Sequence, residues 1–383
     1  MITPILASDF LQKNRDNEKI KILCGMRGCG KTHLLNAFIQ NLVNENRVAL
    51  YVDLANPTYR NATAAQMVYL IKKNSEARRR NYIFLDHIRQ WEGYETIIDP
   101  LFREPNFNLF LAADGTAKTL SPLLTMLPGR LLIHTLYPFS YADTSPRITV
   151  ETFLSYAENS TLPLAYKAET QSAIDSAISS VLYHDVMEEE TIRKPLLEKI
   201  LRYLSLHIGD IVDTAELAAY AGRTGRPLLA KTLAAYLSAL EKSGLLLAAS
   251  AEEKKPNSAA KFPKRFRPFF PDGAIMTLFG EGENISYRYI LNAIAVELWR
   301  RNGRVSALET PAGAIDFLLE TDGLQTLIQC IPTPDDANAE KKIKTLEAAP
   351  ETYRKIILTL YPKKLKAAPT ILKEPIPAWI GRI

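Results

Sequence analysis

The segment GMRGCGKT, from Gly25 to Thr32, constrains this chain more than any other stretch. It has the form G-x-x-x-x-G-K-[ST], a loop whose backbone amides turn inward around phosphate oxygens. A strand-like run, Lys19 to Leu23, precedes it, and an apolar-periodic helical segment, His33 to Leu42, follows. Strand, loop and helix in that order are the context the motif requires. A glycine turn of no special purpose would need neither the fixed spacing nor the flanking elements.

Chemistry assigns a role to each position. Gly25, Gly28 and Gly30 permit backbone conformations that a side chain would block, so the amides from Gly25 through Met26, Arg27, Gly28, Cys29 and Gly30 can face an anion. The positive end of the following helix adds to the attraction. Lys31 is expected to reach the β- and γ-phosphates, and the Thr32 hydroxyl to hold a Mg²⁺ bridging them. The expected ligand is Mg-ATP, since the chain lacks the Asn-Lys-x-Asp pattern that selects guanine.

A chain of 383 residues exceeds one average domain, and about 100 to 200 residues per domain suggests several. No apolar run approaches the ~18 residues that span a bilayer, and the start lacks the basic and apolar regions of a signal peptide. A cytoplasmic location without membrane contact is the expectation. The three cysteines, Cys24, Cys29 and Cys330, have no metal-ligand spacing and fit a reducing compartment. Cys29 is either a thiol made reactive by the helix terminus or a buried, inert one. A net charge of +5 permits nucleic acid as a partner without requiring it.

From Lys19 to Leu136 short apolar strands alternate with helical segments, at 47–54, 82–85, 108–112 and 130–136, which implies a parallel sheet covered on both faces. The alternation stops after Tyr137-Pro138-Phe139-Ser140, and 149–190 reads as mostly helical. Helices at 195–204, near 213–217 and at 227–242 then precede strands at 245–249 and 266–270, the order of a winged helix. Between those strands, 252–267 carries Lys254, Lys255, Lys261, Lys264, Arg265 and Arg267, either a basic wing for DNA or a solvated loop. The third helix contains no Asn or Gln, which argues against base-specific readout. From Ser286 a helix, strands at 314–319 and 324–331, a helix near 337–346 and a strand at 355–360 form a last α/β module.

Tyr82-Ile83-Phe84-Leu85-Asp86 supplies the second acidic strand such a loop needs, with Asp86 at its tip as the metal-side acid. ATPases of this broad class usually place a Glu next, to polarise the attacking water. Here the position is His87, the one candidate catalytic residue, so weak or absent hydrolysis is expected. Asp114 or Thr116 is a candidate sensor of the γ-phosphate. Arg130 either adds positive charge to it or is a surface residue.

The phosphate loop, LDHIRQW (85–91), GRLLIHTLYPFSYAD (129–143), KTLAAYLSALEKSGLL (231–246) and AIDFLL (314–319) together resemble one family over nearly the whole chain. It comprises bacterial and archaeal AAA-type ATPases with a carboxyl-terminal domain of unknown function and restriction-endonuclease-like fold. The resemblance implies an α/β architecture: a P-loop NTPase parallel-sheet domain (1–145), a helical linker (146–194), a winged helix (195–282) and a PD-(D/E)XK nuclease-like domain (283–383). Such nucleases use a helix Glu, a strand Asp and a Glu-x-Lys to hold Mg²⁺. Asp316 matches the strand Asp, while Leu291 stands at the helix position and Gln329-Cys330-Ile331 at the last. Glu297 lies six residues beyond Leu291, about 240° around the helix, and does not replace it. The expectation is a degenerate nuclease fold, with Asp316 a relic or a hydrogen-bond acceptor. Three functions follow: a Mg-ATP-controlled switch that meets DNA or protein partners, an active ATPase remodelling DNA or DNA-bound protein, or an ATP-regulated metal-dependent nuclease.

Overall fold

A computed structural model of the chain describes residues 4–145, 147–163, 166, 171–187, 192–222, 226–251, 262–280, 286–301, 304–335 and 337–382. Its residues cluster into two units, Met1–Tyr137 with Lys242–Gly244, and Pro138–Glu241 with Leu245–Ile383.

The first unit runs α1 (Ile5–Lys13), β1 (Ile20–Gly25), α2 (Lys31–Asn44), β2 (Val48–Asp53), α3 (Ala64–Lys73), β3 (Asn81–Asp86), α4 (Glu95–Phe102), β4 (Phe107–Asp114), α5 (Ser121–Met126) and β5 (Leu131–Thr135). The strands form one sheet in the order β2-β3-β4-β1-β5, every pair parallel. Alternation along each strand explains why both faces are covered. Ile22, Ile83, Leu85, Leu109 and Leu111 face one core with Met67 and Ile71 of α3 and Ile97 and Leu101 of α4. Leu23, Tyr82, Phe84, Phe110 and Ala112 face the other with Leu11 of α1 and Leu35 and Phe38 of α2. The expected parallel sheet is present, and all its carboxyl ends lie on one edge.

The second unit continues with α6 (Tyr141–Thr144), α7 (Val150–Glu158), α8 (Gln171–Val181), α9 (Lys194–Leu206), β6 (Val212–Asp213), α10 (Thr214–Ala221), α11 (Ala230–Ser243), β7 (Leu247–Ser250) and β8 (Arg265–Phe269). Then follow α12 (Gly273–Phe279), α13 (Ser286–Arg300), β9 (Arg304–Thr310), β10 (Gly313–Thr321), β11 (Leu324–Cys330), α14 (Ala339–Ala348), β12 (Arg354–Thr359), β13 (Leu372–Pro375) and α15 (Ile376–Ile380). Eight strands share one sheet, β13-β12-β11-β10-β9-β7-β8-β6. β7 and β8 pair antiparallel, and a single parallel pairing, Ser250 with Ser306, joins β7 to β9. The sheet therefore crosses the 282/283 boundary expected from sequence. β9 escaped the sequence reading because only Ala307 along it is buried, so it carries no apolar run. The helix expected from Pro227 begins at Ala230, with Leu228 N donating to Ala218 O before it. Of the stretches singled out in sequence, 223–225, most of 164–170, 188–191 and the basic 252–261 lie outside the described residues. No described helix is long and apolar enough to cross a membrane.

One cation is buried in the first unit's second core. Lys21 is 1% exposed, its Nζ donating to Asn17 O at 2.8 Å and to Asn108 Oδ1, and lying over the Phe110 ring. These acceptors hold an ammonium, but burial, together with the nearby Arg80, lowers its pKa to about 7. A lysine in the unfolded chain titrates near about 10.4. Between roughly pH 7 and 10 the unfolded chain therefore binds the extra proton, and stability should rise with pH by up to ~1.4 kcal/mol per unit. Chemical denaturation at several pH values should show that rise in the wild type and not in Lys21→Met; equal slopes would refute it.

Candidate functional site

At the carboxyl edge of the five-stranded sheet, β1 ends in Gly25 and the loop to α2 begins. Gly25 has φ 153°, and a Cβ there would come within 2.2 Å of Leu136 O, so only glycine fits. Gly30 caps α2 in a left-handed conformation, φ 103°. The amides of Gly28, Gly30 and Thr32 have no hydrogen-bond acceptor among the described residues, and neither does the Thr32 hydroxyl. A helix start with unclaimed donors attracts anions.

Lys31 is 5% exposed. Its Nζ donates to Gly25 O at 2.9 Å and Met26 O at 3.0 Å, and meets Asp114 Oδ1 at 2.7 Å. Arg27 Nη2 meets the other Asp114 oxygen at 3.2 Å. Burial works against the Lys31 charge, but the Asp114 and Asp86 carboxylates outweigh it and hold its pKa above the ordinary value. Burial likewise pushes Asp114 up, yet Lys31 and Arg27 prevail and its carboxyl titrates below the usual range. Asp114, expected as a phosphate sensor, is the counter-ion of the phosphate-loop lysine. Beside it Thr116 has a buried hydroxyl without a partner among the described residues.

Asp86 ends β3, fully buried. It accepts from the His87 amide at 2.8 Å and the Tyr51 hydroxyl at 3.0 Å. Burial, then the Asp86 charge, raises the Tyr51 pKa, so its hydroxyl stays a donor at neutral pH. His87 occupies the left-handed region, φ 51° and ψ 39°, and its Nδ1 lies 2.9 Å from Asp53 Oδ1. A carboxylate only accepts, so Nδ1 carries a proton, which leaves Nε2 as the nitrogen free to exchange one. Asp53 was missed in sequence. The signal was available, since VALYVD and NYIFLD both end in Asp and the two strands pair with Asp53 opposite Asp86.

One expectation needs correction, and one alternative is decided. Arg130 precedes β5 at the amino edge of the sheet, where its carbonyl accepts from Ile20 N. The five steps of β1 from Ile20 to Gly25 span about 17 Å, so Arg130 is not brought to the loop and instead lies over the Phe102 ring. Cys29 is fully buried, and burial pushes its thiol pKa up against the pull of Lys31. It is not an activated thiol. Gly25, Met26, Arg27, Gly28, Cys29, Gly30, Lys31, Thr32, Asp86 and His87 are all on the carboxyl edge of the sheet.

The donor set fits a Mg-nucleotide: an ammonium, free helix-start amides, a free hydroxyl and a strand-tip carboxylate. Mg²⁺ on phosphates takes only one or two protein ligands, so a nucleotide would complete its shell. Among the described residues no group of three or more His, Cys, Asp or Glu could hold a metal by itself.

Residues 17–145 match the family model described as an AAA domain, and 155–280 one described as a domain of unknown function, DUF8612. An uncharacterized protein of Haemophilus influenzae is 20% identical over 367 residues, covering 90% of each chain. Among solved structures, C. elegans PCH-2 is similar at 13% identity and a TM-score of 0.28, covering 62% of this chain and 64% of its own. This chain thus spans less than two thirds of it. AMPPCP-bound DnaA from Aquifex aeolicus is similar at 15% identity and a TM-score of 0.30, covering 63% and 89%. Both likenesses are too distant to bear on this chain. The first match assigns an AAA domain to residues 17–145.

None of the three cysteines is in a disulfide, and all are buried. A thiol reagent should label none of them within minutes in the native chain and all of them in denaturant; rapid native labelling of Cys29 by peptide mapping would contradict its burial.

Proposed function

We propose that the chain is a Mg-ATP-controlled switch with slow or absent hydrolysis. The observation that carries this reading is Lys31, buried at the head of α2 beside unclaimed amides and held by Asp114, an anion that a phosphate would replace. In the proposed complex Lys31 neutralises the terminal phosphates, the amides from Gly25 to Thr32 orient them, and Thr32 and Asp86 hold Mg²⁺. Bound Mg-ATP would supply a charged, hydrolysable phosphate group. Asp114, released from Lys31, keeps Arg27 as a partner.

Slow hydrolysis is supported by His87 in place of a carboxylate. A second reading has its own support: with Asp53 fixing Nδ1, the His87 Nε2 lone pair is oriented as in a general base, so an active ATPase would use this dyad.

The second unit is read as a winged helix and a nuclease-like module. Helices α9, α10 and α11 followed by the β7–β8 pair support the former, and DNA is its proposed partner, in the cytoplasm. Nuclease activity finds no support. Gln329 is spent between strands, its Oε1 accepting from Asp316 N and its Nε2 donating to Ala314 O. Leu291 is buried, and Glu297 pairs with Arg300 and Arg301.

Lys31→Ala should weaken ATP binding by more than about tenfold, and Asp114→Asn should tighten it several-fold, toward ~tenfold, by removing the competing anion. Titration with a fluorescent ATP analogue checks both, and weaker binding by Asp114→Asn would refute the displacement. Turnover near background in wild type that rises in His87→Glu at unchanged affinity supports the switch. Brisk wild-type turnover that falls about tenfold in Asp53→Asn establishes the dyad instead.

A further inference from the structure

The second unit contains a cavity of about 1060 Å³, at the upper end of small-molecule sites. Asp316 of β10 lies in its wall. Asp316 Oδ1 accepts from Arg267 Nη1 at 3.3 Å, and Oδ2 from Lys342 Nζ at 2.8 Å and the Cys330 amide at 2.8 Å. One carboxylate therefore answers two cations.

Arg267 also lines the cavity. It is 4% exposed, and its Nε is buried with no partner among the described residues. A buried donor left unpaired costs about 1–3 kcal/mol, and a guanidinium is best satisfied by a planar or tetrahedral oxyanion. The other cavity charges are accounted for as follows. Arg288 holds Asp210 at 2.9 Å, and Glu309 is held by Arg265 at 2.6 Å. Lys341 lines the wall beside Lys342, exposed and without an ion pair among the described residues. Lys342 Nζ also donates to the Tyr287 hydroxyl and, at 2.9 Å, to Cys330 O, so with Asp316 its three protons are taken and it contributes charge alone. The balance around Arg267, Lys341 and Lys342 is positive.

An aromatic ring completes the set. Tyr361, 40% exposed, lines the same cavity, with Lys364 Nζ 5.2 Å from its ring centroid. Exposed tyrosine in a cavity that also presents arginine and lysine is a combination that takes a base by stacking and its phosphate by charge-assisted hydrogen bonds.

We propose that this cavity binds a phosphate-bearing nucleotide, the phosphate at Arg267 and Lys341 and the base on Tyr361. A free mononucleotide and the phosphorylated end of a nucleic-acid strand offer the same chemistry. The site is separate from the phosphate loop and does not rest on the ATP reading.

The test is fluorescence anisotropy of the full chain in EDTA with a 5′-phosphorylated oligodeoxynucleotide labelled at its 3′ end. Binding should weaken more than about tenfold when the 5′-phosphate is removed, about fivefold in Lys341→Glu, and as much in Tyr361→Ala. Arg267→Gln should abolish it, with a thermal melt as the folding control. Lys341 and Tyr361 are exposed, so their variants read the site independently of folding. Lys31→Ala should leave this binding unchanged, which separates its failure from that of the phosphate loop. Displacement by a nucleoside 5′-monophosphate assigns the site to free nucleotides, and its failure to compete assigns it to strand ends. No binding of either ligand, equal affinity with and without the phosphate, or wild-type affinity in Lys341→Glu would overturn the proposal.

Discussion

A lysine ammonium at a helix amino terminus is opposed by the helix dipole and, when buried, by lost hydration. Lys31 bears both costs. It is held there because Gly25 O, Met26 O and Asp114 Oδ1 surround it, and Asp114 is within reach only because β4 lies beside β1 with Asp114 level with Gly25. The turn that brings the two carbonyls inward requires glycine at 25, where any Cβ would strike Leu136 O. Sheet order, glycine placement and the buried charge are thus one constraint.

The same edge gathers three carboxylates, because β2, β3 and β4 each end in Asp: Asp53, Asp86 and Asp114. Unopposed, such a cluster would repel itself. Each has a different partner: Asp114 takes Lys31 and Arg27, Asp86 takes the Tyr51 hydroxyl and a backbone amide, and Asp53 takes His87. A divalent cation with an anionic ligand suits that balance. His87 is held by Asp53 through a left-handed backbone, so a Glu in its place would face two neighbouring carboxylates.

In the second unit the carboxylate at Asp316 is likewise answered by cations, Arg267 and Lys342. Held in this way, Asp316 is neutralised from two sides. The contacts run through residues distant in sequence: Arg267 on β8, Asp316 on β10 and Lys342 on α14.

Much of the first unit was legible in the chain itself, because its information is local. Period-two apolar runs specify buried strands, GMRGCGKT specifies the turn between β1 and α2, and an Asp closing an apolar run marks a strand tip. The second unit was less legible: β9 is mostly half-buried and has no periodicity to read, and its pairing with β7 crosses a boundary that the family resemblance implied. Sequence by itself determined the turn at the phosphate-loop motif, the alternation of strands and helices, and the strand-tip placement of Asp86 and His87, since these rest on neighbours along the chain. Only the tertiary structure decided that Asp114 neutralises Lys31, that Asp53 holds His87, that Arg130 lies at the opposite edge, and that Arg267 and Lys342 claim Asp316. Each of those depends on which strands lie side by side and which way they run, and long-range pairing leaves no local pattern.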